Sequence, residues 1–269
     1  MRTSTSTTSH LPAALRPELA RLSTISLRDL ERRAALLERE ERKYLVTIRD
    51  LRSALRSAKG FLILKHHNRT SFRYESIYFD AGFTTYRDHH QGRRLRCKVR
   101  SRRYVDSGLC FLEVKLKGKR GRTDKRRIAS SLEEHGQIGP DAQAFVREAY
   151  RKKYDKPLRG KLTPKLTVTN TRITLVSAKD QERVTIDTQV RFSHHGRETA
   201  LADDIVIIET KTPRGHGRFD IILRQLGVRP VRMCSKYCLG VAMLGLVRKR
   251  NRFLPTLRQL NRTDETDDA

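Results

Sequence analysis

Several stretches of this chain place charged side chains at every second position. In RRLRCKVRSRR, residues 93–103, the positions Arg94, Arg96, Lys98, Arg100 and Arg102 alternate with Leu95, Cys97, Val99 and Ser101. Successive side chains of a strand point to opposite faces, so one face would be an unbroken row of cations. FLEVKLKGK sets Phe111, Glu113, Lys115 and Lys117 against Leu112, Val114 and Leu116. RVTIDT sets Arg183, Thr185 and Asp187 against Val184 and Ile186, and DIVIIETK ends with Glu209 and Lys211 two apart. Taken singly, each is an ordinary solvated sheet face. Together they are not, because a solvated face mixes signs: like charges side by side cost about a few tenths of a kcal/mol per pair. The chemistry these residue types suit is phosphate binding. Arginine offers a bidentate fork and lysine a point charge, and a carboxylate once per strand suits a divalent ion held beside phosphates. If the charged faces turned inward in a closed barrel, an anionic ligand would hold the cations together. An empty, dry interior would leave unpaired charges costing several kcal/mol each.

The elements that must position these residues follow from periodicity. Apolar residues at helical spacing (Leu19, Leu22, Leu30, Ala34, Leu37) begin after Pro17, and IRDLRSALRSAKG reads as a helix from Asp50 to about Lys59 with Gly60 as its stop. ESIYFD reads as a strand, AGFTTYRDHHQG as a turn, and the basic stretch and LCFLEVKLKGK as further strands. DAQAFVREAYRKKY reads as a helix, KLTVTNTRITLV, ERVTIDTQVRF and DIVIIETK as strands, and RFDIILRQLGV and SKYCLGVAMLGLV as closing helices. The expected fold is α+β, an antiparallel β-barrel with flanking helices. Residues 1–37 are assigned to a disordered leader (1–16) and an N-terminal helix, residues 38–247 to the barrel domain, and residues 248–269 to a polar tail ending in DETDDA.

Composition sets the partner class. Lys plus Arg number 58 against 30 Asp plus Glu, a formal net charge of +28, which calls for a polyanion. Aromatics are 6% with no Trp, and the basic strands lack the paired aromatics of a base-stacking platform, so nucleic acid is not expected as a specific ligand. No run approaches the ~20 apolar residues of a membrane span, and MRTSTSTTSH has no apolar core of a secretory signal. Cys97, Cys110, Cys234 and Cys238 form no CxxC pair and the nine histidines no metal motif, which suits a reduced, cytoplasmic protein.

In order along the chain stand ERKY (41–44), SIYFD (76–80), VRSRRY (99–104), FLEVK (111–115), RVTIDT (183–188), IIETK (207–211) and SKY (235–237). Together they resemble the catalytic domain of the VTC (vacuolar transporter chaperone) family in its bacterial form, a branch of the triphosphate tunnel metalloenzymes. The resemblance covers about residues 38–246. It implies a tunnel barrel that makes polyphosphate, moving the terminal phosphoryl group of ATP to a growing chain with Mn2+ or Mg2+. Carried over by motif, the implied tunnel cations are Lys43, Arg100, Arg102, Lys115, Arg172, Arg183, Lys211 and Lys236, with Lys125, Arg127 and Ser235 as further phosphate contacts. Glu209 is the implied metal ligand, with Glu41 and Glu113 as secondary candidates. A known relative works beside membrane subunits; here any membrane partner would be a separate chain.

Two positions depart from the family pattern. The superfamily's Glu-x-Glu-x-Lys reads Arg39, Glu41, Lys43 here, and the Tyr expected two residues before Arg172 is Asn170. Blander readings stand beside the sharp ones. Glu113 is read as an ion-pair partner ahead of a metal ligand, Asp187 as either a strand-end turn or an ion-pair partner, and Ser235 as a helix N-cap. Tyr44, Tyr78 and Tyr237 are read as packing residues with satisfied hydroxyls. Arg94, Arg96 and Lys98 are read as a basic tunnel mouth. The alternatives to a polymerase are an inorganic tri- or polyphosphatase of the same fold and a non-catalytic polyanion- or RNA-binding protein.

Overall fold

The computed structural model describes residues 11–33, 40–118, 123–213 and 215–261. Eleven strands join in one sheet, whose main path runs β2 (Glu40–Thr47), β11 (Ile205–Thr212), β9 (Arg183–His194), β8 (Thr163–Ser177), β4 (Ser71–Asp80), β5 (Arg96–Tyr104), β6 (Leu109–Lys117) and β7 (Thr123–Ser130). Every pairing on that path is antiparallel. Short β1 (Thr24–Ile25) pairs in parallel with β3 (Phe61–Leu64), which joins β8, and β10 (Arg197–Ala200) joins β9.

The sheet curls. Lys115 Nζ on β6 lies 2.9 Å from Glu41 Oε2 on β2. Six steps of about 4.8 Å, roughly 29 Å, would separate those strands in a flat sheet. Among the described residues β7 and β2 share no backbone pairing. The expected barrel is therefore curled but open along this seam, rather than closed by hydrogen bonds.

Alternation decides what lies outside. Cys97, Val99, Leu112, Val114 and Leu116 pack outward against α5 (Pro140–Tyr154). Tyr44, Val46, Val184, Ile186, Val206 and Ile208 pack outward against α1 (Arg16–Ala20), α3 (Ile48–Ser57) and α6 (Arg218–Gln225). The Thr47 side chain caps α3 by accepting the Asp50 N–H at 3.1 Å. A further helix, α2 (Leu27–Arg33), brings Leu30 against Leu64 and Val176.

Inside the curl, α7 (Lys236–Met243) closes one end. It is apolar nearly all round, the pattern of a helix surrounded by protein. Its Tyr237, Cys238, Leu239, Val241 and Ala242 pack on Leu45, Leu166, Val168, Val190, Phe192, Ile205 and Ile207. Val190 and Phe192 reach this interior because of a bulge. Gln189 has φ +52° and the β8–β9 register shifts between Thr169 and Thr171. The inward parity of β9 thus switches from Arg183 and Asp187 to Val190 and Phe192.

Four further expectations change. The segment read as one N-terminal helix from Pro17 is, over the described residues, α1 and α2 separated by β1, which pairs with β3. AGFTTYRDHHQG contains a helix, α4 (Thr84–His90), entered through Gly82 and Phe83 at positive φ. Residues 11–16 are structured, with Leu11 and Leu15 in the core, because they supply apolar cover for α3. The stretch read as a polar tail carries α8 (Leu254–Asn261), and Phe253 and Leu260 are buried beside α7. Residues 1–10, Ala34, Leu37 and Arg39, and the acidic terminus at 262–269, for which the sequence raises expectations, lie outside the described residues. Among the described residues no helix is long and apolar enough to cross a membrane, and all the cysteines are free.

Candidate active site

The inward positions of the strands build a charged tunnel around three carboxylate-centred networks. The first is Glu113, on β6 and 2% exposed. Register places it opposite Arg100 on β5 and Arg127 on β7. It accepts Arg100 Nε at 2.7 Å and Lys125 Nζ at 2.6 Å, with Arg102 Nε 3.9 Å away. Burial opposes its charge, but Arg100, Arg102 and Lys125 hold the carboxyl well below the usual range. Arg127 lies on the same face, its guanidinium 4.8 Å from the centre of the Phe111 ring. Lys125 and Arg127 therefore share the tunnel face, and Glu113 is occupied as an ion-pair partner.

The second network is Asp187, which is fully buried in the middle of β9. Arg172 grips it with two bonds, Nε at 2.6 Å and Nη2 at 2.7 Å. Asn170 Nδ2 donates at 2.8 Å, and Lys236 at the start of α7 donates as well. Against the cost of burial, Arg172 and Lys236 keep its carboxyl far below normal. Of the two readings of Asp187, the ion pair is the one observed. Asn170, where the family pattern has Tyr, is a third ligand of this carboxylate.

The third joins β2 and β11. Glu209 pairs with Lys211 at 2.9 Å and Lys43 at 3.8 Å, and Glu41 with Lys115 at 2.9 Å. Burial raises and the surrounding lysines lower Glu209, leaving it well below the ordinary carboxylate value. Glu41 is lowered too, although burial and the neighbouring charge of Glu209 push it upward. Arg183, paired in register with Lys211, lines the same wall.

The tunnel also holds residues absent from the sequence-derived set. Ser76 accepts Arg102 Nε at 3.2 Å, and the Tyr78 hydroxyl accepts Arg100 Nη1 at 2.9 Å. Arg102 and Arg172 both stack on the Tyr74 ring, each 5.3 Å from its centre. Burial would raise the Tyr78 phenol, yet Arg100, Arg102, Lys98 and Lys236 lower it to about 8. The parity of SFRYESIYFD, with Tyr74, Ser76 and Tyr78 on one face, could have placed all three. Of the cations read as a tunnel mouth, Arg94 precedes β5, Arg96 begins it, and Lys98 lies well inside, donating to Ser235 Oγ at 2.7 Å. Ser235 occupies the N-cap position of α7, but its side chain makes no capping bond there. Tyr44 and Tyr237 donate to Asp220 at 2.7 Å and Asp80 at 2.6 Å, satisfied as packing residues should be.

Among the described residues no three His, Cys, Asp or Glu side chains converge as an all-protein metal cage. Magnesium and similar ions are commonly held by one or two carboxylates together with substrate phosphates. The neighbouring carboxylates Glu209 and Glu41 fit that mode of binding.

The whole arrangement is a cation-rich cavity, walled by strands and closed at one end by α7, whose carboxylates Glu113, Asp187, Glu209 and Glu41 each pair with at least one cation. It can envelop a chain of phosphates, with arginine forks and lysine ammoniums directed at non-bridging oxygens.

The chain matches no curated protein at a significant level. Its fold is similar to the PH1819 protein of Pyrococcus horikoshii OT3, with 17% identity, 76% of this chain and 99% of that one covered, and TM-score 0.44. It is similar to a Hippeastrum protein described as having a dominant triphosphatase activity, with 14% identity, 75% and 94% covered, and TM-score 0.47. The VTC domain profile matches residues 38–245, which span the tunnel from β2 to the end of α7. The chain belongs to the VTC domain family.

Proposed function

We propose that this protein is a metal-dependent polyphosphate polymerase, which moves the terminal phosphoryl group of ATP onto a growing polyphosphate chain inside the tunnel. The observation that carries the reading is the tunnel's surplus of inward cations. Glu113 and Asp187 each hold two or more cations, and Arg127 and Lys98 remain beyond those networks. Such a surplus is stable around a polyanion and costly without one.

The bond between the β–γ bridging oxygen and the γ-phosphorus breaks as a terminal oxygen of the chain bonds to that phosphorus, and ADP departs. Such transfers depend on positioning and charge stabilisation more than on covalent help. Arg100 and Arg102 on β5, Arg172 on β8 and Lys211 on β11 surround the cavity from different walls and would fix the phosphates in line. Glu209, with Glu41 beside it, would hold Mn2+ or Mg2+. Such an ion would supply neutralisation of the negative charge of the phosphates.

Incubating the purified chain with ATP and Mn2+, or with chelator, and following long-chain polyphosphate, ADP and free phosphate tests the reading. Metal-dependent chains are expected, reduced about a hundredfold or more in Arg100→Ala and abolished in Glu209→Gln. Free phosphate without chains would instead identify a triphosphatase. Neither product, together with metal-independent binding of polyphosphate or RNA, would identify a binding protein.

A further inference from the structure

Lys98, a lysine inside the tunnel, differs from the cations there that pair with carboxylates. Lys43, Arg100, Lys115, Lys125, Arg172, Lys211 and Lys236 each touch a carboxylate. Among the described residues the only polar partner of the Lys98 ammonium is the neutral hydroxyl of Ser235, at 2.7 Å. An interior ammonium with no counter-charge is costly to keep. It sits where β5 meets the N-terminal end of α7, and the Ser235 hydroxyl turned toward it is not spent on capping that helix. The first backbone N–H groups of α7 add to the positive potential there.

We propose that Lys98, with Ser235, is the phosphate-binding pair at the α7 end of the tunnel, holding the phosphate unit farthest along the chain toward that helix. The inference rests on the reading of the tunnel as a phosphate-chain site and adds to it a residue outside the motif-matched set. The groups facing Lys98 are Ser235 and Cys238 of α7, Lys43 of β2, Tyr78 of β4, Lys115 of β6 and His89 of α4, none of them a carboxylate. Burial and the like charges of Lys43 and Lys115 bring the ammonium down to about 8 against the opposing pull of Cys238 and Tyr78. A phosphate there would supply the missing charge and raise it again.

Calorimetric titration with inorganic tripolyphosphate in the presence of chelator, at pH 8, tests the pair. Lys98→Met is expected to weaken binding about tenfold or more, and Lys98→Arg to restore most of it, because a hydrogen bond to a charged group is being removed and replaced. The protons taken up on binding, read from buffers of different ionisation enthalpy, should fall in Lys98→Met relative to the wild-type protein. A merely structural lysine would leave that count unchanged. Wild-type binding matched by Lys98→Met, in affinity and proton count, would overturn the assignment while leaving the tunnel reading intact. A wild-type protein that ignores tripolyphosphate would overturn both. Should Lys98→Met not fold, amine acetylation of the wild-type protein decides: tripolyphosphate is expected to protect Lys98, and labelling equal with and without it would overturn the pair.

Discussion

The ammonium of Lys115 on β6 meets the carboxylate of Glu41 on β2 at 2.9 Å, across the seam where, among the described residues, β7 and β2 share no backbone pairing. Both side chains are partly exposed, at 42% and 22%, so the pair contributes little to stability even though it marks the curl. Glu41→Gln should lower Tm by no more than about 3 °C. With chelator present it should tighten tripolyphosphate binding, since a negative charge leaves the tunnel wall. Thermal melts and titrations of the same variant read both effects. A large loss of Tm would mean that the seam depends on this pair.

Asp187 is the opposite case. It is fully buried and holds Arg172, Lys236 and Asn170. Asp187→Ala leaves two interior cations uncompensated, a loss of about 3–5 kcal/mol, or roughly 6–20 °C in Tm. Tripolyphosphate should return part of this, about 2.7 kcal/mol at a hundredfold excess over Kd. Differential scanning with and without the polyanion measures it. A loss that no polyanion relieves would show that Asp187 serves packing alone.

Acid should unfold the protein through the same carboxylates. Glu113 and Asp187 are depressed from ordinary values of 4.5 and 3.8 despite burial, by Arg100, Arg102 and Lys125 in one case and by Arg172 and Lys236 in the other. The unfolded chain therefore takes up protons first. The stability these pairs give is complete above about pH 5 and is lost as pH falls below 4.5 toward the folded values. Melts at stepped pH should show the decline, and Glu113→Gln should flatten it. At the alkaline side, burial brings Lys125 and Lys211 to about 8. Affinity for tripolyphosphate should thus fall as pH rises through 8, and an affinity unchanged up to pH 9.5 would contradict it.

The seat of α7 is set by Gly240. A Cβ there would meet Phe192 Cδ1 at 2.5 Å and Leu166 Cδ2 at 2.7 Å, side chains that are themselves buried. Gly240→Ala should cost about 1–3 kcal/mol through overpacking. Because Ser235 and Lys236 ride on this helix, it should also weaken tripolyphosphate binding. Melts and titrations together test whether the two losses appear in one variant.

Strand parity alone determined the charged faces. Arg100 with Arg102, Glu113 with Lys115, Arg183 with Asp187 and Glu209 with Lys211 follow from a period of two, which no tertiary contact can change within a regular strand. Order and spacing of the short motifs further identified the family. Tertiary structure decided which charge answers which. Asp187 lies 15 and 49 residues from the Arg172 and Lys236 it holds, and Glu41 lies 74 from Lys115. None of these separations has a sequence signature: Arg172 meets Asp187 through the β8–β9 register, Lys236 meets it through the docking of α7, and Glu41 meets Lys115 only through the curl of the whole sheet. The parity switch at Gln189 was hidden for a related reason: a bulge is a backbone choice imposed by neighbouring strands. Lys98 shared its parity with Arg100 all along. Only the docking of α7 made it an interior charge with a hydroxyl, rather than a carboxylate, for company.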